Sequence, residues 1–409
     1  MSAGSPAVVF IVTILLCTSV VDAADWPQWR GPNRNGISTE TGWTAKWSEQ
    51  PPKVAWRAEV GKGYCAVSVV GDRAYTSGNF EGQVKVKDTV FCLDVNKGEK
   101  VWDYSYPSPK GTFPGPRTTP TIDGDLLFTM GRHGDVVCLD AKDGKEVWKV
   151  NVREKHGIKA EPKEWGLSCS PLVLGDNIIL DLGKVLALDK ATGKLAFAMG
   201  DDPPAFSSSV LVQTGGKDYV TSLNAFGLVL YDLATRKEAG RHAWESKWSA
   251  TGVTPVVSDN LLFVSSGYGR GCGLFRLDAD GLKQVYKNTD MSSEASTGVL
   301  YKGYLYGVTG DCGKKGRIKC IEFATGKVKW EGPQFKRSGG GLMIAGDKII
   351  HMEGGGEVVI LEATPDACKE ISRALVLKGQ CWTMPVLANG RIYCRNTRGA
   401  LVCLDVRKK

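Results

Sequence analysis

A short apolar run that stops at an acidic residue, followed by a polar turn and a second run ending in an aromatic residue, recurs along this chain of 409 residues. The clearest instance is Gly134–Trp148 (GDVVCLDAKDGKEVW). It predicts a strand ending at Leu139-Asp140, a tight turn through Asp143-Gly144 and a return strand carrying Trp148. Val90–Trp102 and Lys319–Trp330 repeat it, and Val185–Phe197, Leu228–Glu238, Leu274–Tyr286, Val358–Glu370 and Leu401–Asp405 are looser copies. The closing acids are Asp94, Asp140, Asp189, Asp232, Asp278, Glu322, Glu362 and Asp405, at intervals of 40 to 49 residues. A second pattern runs in step: apolar run, turn, apolar run, as in Pro120–Phe128, Pro171–Ile179, Pro255–Phe263 and Pro385–Tyr393. Its Gly-Asp, Asp-Asn and Asn-Gly pairs tolerate the positive φ that tight hairpins need. Each unit is therefore four short antiparallel strands. Eight units at this period predict an all-β, eight-bladed β-propeller.

The ends of the chain bear on closure. The eighth unit has three strands and stops at Lys409, whereas Pro52–Gly61 carries Trp56 with no earlier strand to pair with. Trp56 is expected on the outer strand that the last blade lacks, which removes the open edge of an unclosed ring. Residues 1–23 read as a signal peptide: Ala7–Val21 is apolar but short for a membrane span, and Val21-Asp22-Ala23 offers a cleavage site before Ala24. Its first residues, MSAGSP, contain no Lys or Arg, and Leu16 before Cys17 argues against lipoprotein processing. The expectation is an exported monomer, periplasmic or secreted, without a stable membrane span. Residues 24–51 form an arm with Trp26, Trp29, Trp43 and Trp47, expected to pack its indoles against the propeller wall, and residues 52–409 form the ring.

Composition narrows the chemistry. The net charge is +8, or +9 without residues 1–23, and its basic residues are scattered apart from clusters at 155–163 and 314–319. No nucleic-acid surface is expected. Eleven cysteines follow residue 23, an odd number. Cys92, Cys138, Cys320 and Cys403 each stand two residues before the closing acid and read as core thiols in separate blades. Cys394 and Cys403 fall on neighbouring strands at a diagonal offset, so no bridge is expected there. Without a Cys-x-x-Cys pair, structural zinc and covalent haem are disfavoured. A Gly-x-Ser-x-Gly elbow and a phosphate loop are also missing.

The Leu-Asp-x-x-Thr-Gly-Lys-x-x-Trp repeat, fullest at Asp189–Phe197 and Glu322–Trp330, resembles the pyrroloquinoline-quinone (PQQ) type of β-propeller repeat. The segments Asp25–Ser38, Gly115–Asp125, Glu164–Val173 and Ser265–Phe275 resemble a secreted PQQ-like family of planctomycete-type bacteria. The resemblance spans nearly the whole chain after residue 23 and is specific for fold more than for activity. It implies two kinds of relative: quinoprotein alcohol dehydrogenases, which hold PQQ and calcium, and the propeller lipoprotein of the outer-membrane barrel-assembly machinery, a scaffold without cofactor.

In a propeller the loops between second and third strands share a face with the connections between blades. The long segments Ser77–Thr89, Asp103–Arg117, Lys149–Ser168 and Ser266–Gly273 are expected there. Cationic and aromatic residues gather in and near them: Tyr64, Arg117, Arg132, His133, Trp165, Trp248, Tyr268, Arg270, Arg337 and Trp382. Each alone reads as rim or plug; together they mark a binding face. Guanidinium forks and flat indoles would suit a tricarboxylated quinone. Against this, no two cysteines are adjacent, as they are in the larger quinoprotein dehydrogenases, and Glu294, Asp311 and Asn396 match no calcium motif. His133 reads as a turn residue, with His156 in a Lys-rich loop, His242 in a connection and His351 on a strand. The reading is a binding or scaffold propeller for an envelope protein or small ligand, with no assigned catalytic residue or metal. The alternative is a PQQ- and calcium-dependent alcohol or sugar dehydrogenase, and a third is an aromatic platform for polysaccharide.

Overall fold

The computed structural model describes Met1 and residues 24–47, 51–80, 86–109, 111–159 and 165–408. Beyond Met1, the expected signal peptide with Cys17 lies outside the described residues, as do parts of Ser77–Thr89 and Lys149–Ser168. Eight antiparallel sheets, each of four ring strands, form an eight-bladed propeller. Blade 1 runs Ser68–Val70, Arg73–Phe80, Lys87–Asp94 and Lys100–Pro107 from the inside outward. Blade 8 takes three strands from the chain's end, Val386–Ala388, Arg391–Arg395 and Ala400–Asp405. Its fourth is Lys53–Glu59, paired antiparallel with Trp56 opposite Cys403. The ring is closed by strand pairing between the two ends of the chain.

The repeat has a mechanical explanation. The closing acid caps the turn after it: Asp94 Oδ1 accepts the N–H groups of Asn96 and Lys97, and Asp140 Oδ1 those of Lys142 and Asp143. The outer strand then bulges just before its aromatic residue, between Glu146 and Trp148 in blade 2 and between Val54 and Trp56 in blade 8. The bulge aims the indole at the next blade's turn. The indole N–H donates to a carbonyl there: Trp56 to Val95 at 2.8 Å, Trp102 to Ala141 at 3.1 Å, Trp148 to Lys190 at 2.9 Å and Trp330 to Thr364 at 2.8 Å. The turn glycine is needed twice over. Gly144 has φ +74°, and a Cβ on it would lie 2.6 Å from the Trp102 ring. Gly144→Ala is therefore expected to cost about 1–3 kcal/mol, read as a lower denaturant midpoint at unchanged slope.

Cys92, Cys138, Cys320 and Cys403 are buried free thiols, as their position before the closing acid predicts. Cys394 pairs with Val402 and Cys403 with Tyr393, the diagonal offset expected, and both cysteines are free.

Residues 26–40 of the Trp-rich arm pack along the inner strands of the ring, whereas Trp43 bridges to Arg407 and the Trp47 N–H donates to Ser372 on the outer strand of blade 7. Trp26 exchanges backbone hydrogen bonds with Val69 of blade 1, Pro27 accepts from Ile122 of blade 2, and the Trp29 indole donates to Thr254 beside blade 5. Arg34 donates to the carbonyls of Ser170 and Pro171 beside blade 3. Arg30, fully buried, donates to the carbonyls of Thr297 and Gly298 beside blade 6 and to those of Arg34 and Asn35 in its own loop. Ile37–Ser38 then adds a parallel strand to the inner edge of blade 7, and the Glu40 carboxylate accepts the N–H groups of Asn389 and Gly390 in blade 8. One short segment thus bonds to seven blades. These contacts are polar because the inner strands present backbone groups that would otherwise be buried without partners.

Candidate functional site

The connections between blades and the loops between second and third strands do share one face, and over the channel they enclose a cavity of about 290 Å³. Trp29 of the arm lines it, so the plug beneath the ring is the floor of the site. One wall is a crescent of rings. Tyr64 stacks on Trp382 with centroids 5.6 Å apart, Phe113 lies 6.2 Å from Trp382 and 6.1 Å from Trp165, and Trp165 lies 5.5 Å from Phe206. The Arg117 guanidinium sits 5.1 Å above the Tyr64 ring and donates to the carbonyls of Gly115 and Phe113.

Charged residues complete the lining: Glu294, Asp311 and Lys314. Glu294 accepts from the Tyr268 hydroxyl at 3.0 Å and from the Cys312 N–H at 2.6 Å, while Asp311 accepts from the Tyr268 N–H at 2.6 Å. Neither carboxylate forms an ion pair with a described residue. Burial, and after it the neighbouring Asp311, pushes the Glu294 carboxyl above the usual range. Burial together with the Glu294 charge pushes the Cys312 thiol well up, so it is no thiolate nucleophile.

Of the ten residues singled out from the sequence, Tyr64, Arg117, Trp165, Tyr268 and Trp382 line this cavity. The other five do not. Arg132 is buried below the loop and donates to the Thr112 carbonyl; His133 bonds the Pro109 carbonyl; Arg270 stacks 3.9 Å over Trp244 and donates to Glu245. Trp248, 43% exposed, and the exposed Arg337 stand away from it. Two of the expected long loops are mostly strand: Arg73–Phe80 and Lys87–Asp94 extend into one, and Leu261–Ser266 and Gly271–Asp278 leave a tight turn of the other. His156 closes a one-turn helix, Val152–His156, rather than lying in a loop, and His242 lies on strand Glu238–Ala243 rather than in a connection. Sequence reading passed over Trp29, Phe113 and Phe206, since nothing in a linear pattern brings a plug residue to the floor of a ring.

Arg117, Arg132 and Arg270 each donate to a backbone carbonyl, and an anionic ligand in the cavity would meet Glu294 and Asp311 as well as Arg117 and Lys314. The third member of the carboxylate–amide set, Asn396, is engaged elsewhere: its Oδ1 accepts the N–H groups of Arg398, Gly399 and Ala400. Among the described residues no group of three or more His, Cys, Asp or Glu is placed to hold a metal ion.

Comparison with known proteins agrees with this architecture. The family described as outer membrane protein assembly factor BamB matches residues 38–198, 86–332 and 226–409. The outer membrane protein assembly factor BamB of Moranella endobia is 24% identical over 245 residues, 57% of this chain and 62% of that protein. A quinoprotein ethanol dehydrogenase of Pseudomonas putida is 26% identical over 163 residues, 37% of this chain and 26% of that protein. The chain thus spans less than two thirds of the length of these relatives. Among solved structures, BamB from Moraxella catarrhalis superposes with a TM-score of 0.63 at 18% identity, covering 87% of this chain and all of that one. The quinohemoprotein alcohol dehydrogenase of Comamonas testosteroni superposes with a TM-score of 0.68 at 14% identity, covering 94% and 81%. With matching segments from residue 38 to the last and the eight-bladed ring in place, the chain belongs to the PQQ-like propeller family described as outer membrane protein assembly factor BamB.

Proposed function

We propose that this protein is an exported binding or scaffold propeller whose central cavity receives a basic side chain of an envelope partner. The observation that carries this is the Glu294–Asp311 pair, half-buried, in no ion pair with a described residue, and sharing the cavity with aromatic rings as well as Arg117 and Lys314. Two like charges in such a place are costly until a cation joins them, and the rings add cation–π attraction to that cation. The relatives named as assembly factors support a partner in the envelope. Export, a monomeric state and a non-enzymatic role belong to the same proposal. Among the described residues no helix is long and apolar enough to cross a membrane.

Two measurements test the reading. Protein immobilised through its C-terminus should recover a defined partner from envelope extract, and Glu294→Gln with Asp311→Asn should weaken that recovery at least about tenfold. Recovery unaffected by this pair and by Trp382→Ala would remove the cavity as the contact. The dehydrogenase alternative expects PQQ with calcium to bind saturably and add a quinone absorbance; the scaffold reading expects no such binding.

A further inference from the structure

A second cavity, of about 410 Å³, lies between blades 6 and 7 and shares no lining residue with the central one. Its apolar wall is Ile318, Phe335, Val359 and Leu361. At its polar end Arg373 binds three carboxylates: Glu370 through Nε and Nη2 at 3.0 and 2.8 Å, Glu357 at 2.7 Å and Glu353 at 3.3 Å. Three carboxylates against Arg373 and the exposed Lys336, the two cations of the lining, leave one negative charge over. Burial, and next the hydrogen bond and charge of Glu357, push the Glu353 carboxyl up to about 7 against the lowering effect of Arg373.

His351 is the independent sign. Its imidazole borders this cavity, lies 5.5 Å from the Phe335 ring and is 2% exposed. Nδ1 is 3.1 Å from the Gly341 carbonyl, which can only accept, so Nδ1 carries the hydrogen. Burial holds the ring neutral, with its pKa lowered to about 4. Nε2 is therefore a bare acceptor, and it has no partner. A buried acceptor without a donor is costly, and so is an uncompensated carboxylate.

We propose that the cleft between blades 6 and 7 binds an alkylammonium group, its stem along Phe335 and Leu361 and its N–H donors on Glu353 and His351 Nε2. The group could be a free amine or a lysine side chain of another protein. The proposal is independent of what fills the central cavity.

The test uses the full-length protein and n-butylamine, with n-butanol as the uncharged match and Nα-acetyl-lysine amide as the side-chain source. Only four histidines are present, so the imidazole protons of His351 can be followed by NMR as a local reporter. Butylamine should shift that resonance saturably and butanol should not. If lysine amide shifts it too, the site accepts protein side chains; if butylamine alone does, it is a small-amine site. Glu353→Gln should weaken the affinity about tenfold, as loss of a charged hydrogen-bond acceptor predicts. His351→Phe, which keeps a ring against Phe335 but removes the reporter and is therefore titrated by calorimetry alongside the parent, should do likewise, and Trp382→Ala in the central cavity should not. The proposal fails if neither amine moves the His351 signal, or if Glu353→Gln and His351→Phe both bind as tightly as the parent.

Discussion

Trp56→Ala should lower stability by about 3–5 kcal/mol, the range for truncating a buried tryptophan, and the melting temperature by roughly 5–10 °C. Trp56 is 7% exposed, lies 5.9 Å from the Tyr393 ring and donates to the Val95 carbonyl in the first blade's turn. Removing it leaves a cavity and orphans that carbonyl at the one place where the ring is closed without covalent continuity between neighbouring strands. Trp102 makes the same contact from blade 1 to blade 2, but its strand follows its paired neighbour Lys87–Asp94 directly in the chain, whereas the strand of Trp56 is held to Ala400–Asp405 by pairing alone. The two substitutions should therefore differ in one respect. Trp56→Ala frees the edge of strand Ala400–Asp405 and should promote association as the seam opens, whereas Trp102→Ala should stay monomeric. Equal behaviour of the two variants in size-exclusion chromatography near the transition would mean that the seam is no weaker than any other blade junction.

Arg30→Met should be as damaging for a different reason. The guanidinium, wholly buried, donates to four carbonyls, two in its own loop and two beside blade 6. Burial, and after it the charge of Arg34, lowers its pKa to about 9, yet it remains charged at neutral pH. Methionine preserves much of the volume and leaves those acceptors without donors, at a cost of about 3 kcal/mol or more in sum. The functional consequence should exceed the loss of stability. Trp29, the adjacent residue, is the cavity floor, so a loosened plug should also weaken partner recovery while the ring still gives a native β-sheet spectrum. Full partner recovery by a folded Arg30→Met protein would show that the floor does not depend on this arginine.

The same comparison separates what was legible in the chain from what was not. Strand order, blade number and the closing role of Lys53–Glu59 follow from a local rule repeated eight times: an acid that caps its own turn, a glycine that only fits at positive φ, and an aromatic after a bulge. Interactions within a dozen residues leave a periodic trace, and a period needs no knowledge of the third dimension. That Cys92, Cys138, Cys320 and Cys403 are core thiols came from the same trace. The loop-rich face was legible too, because loop placement follows from strand order; Tyr64, Arg117, Trp165, Tyr268 and Trp382, which line its cavity, were reached in this way.

What the tertiary structure alone decided is where the unrepeated residues go. Arg132, Arg270 and Trp165 look equivalent in a string of letters, but the first two spend their donors on backbone carbonyls and only the last faces the cavity. Trp29, at the floor of the site, bonds Thr254 more than two hundred residues away, and Tyr268 of blade 5 bonds both Glu294 and Asp311 beside blade 6. Contacts of that kind join single positions to single positions. They depend on closing the ring first, and a one-dimensional pattern carries no record of them.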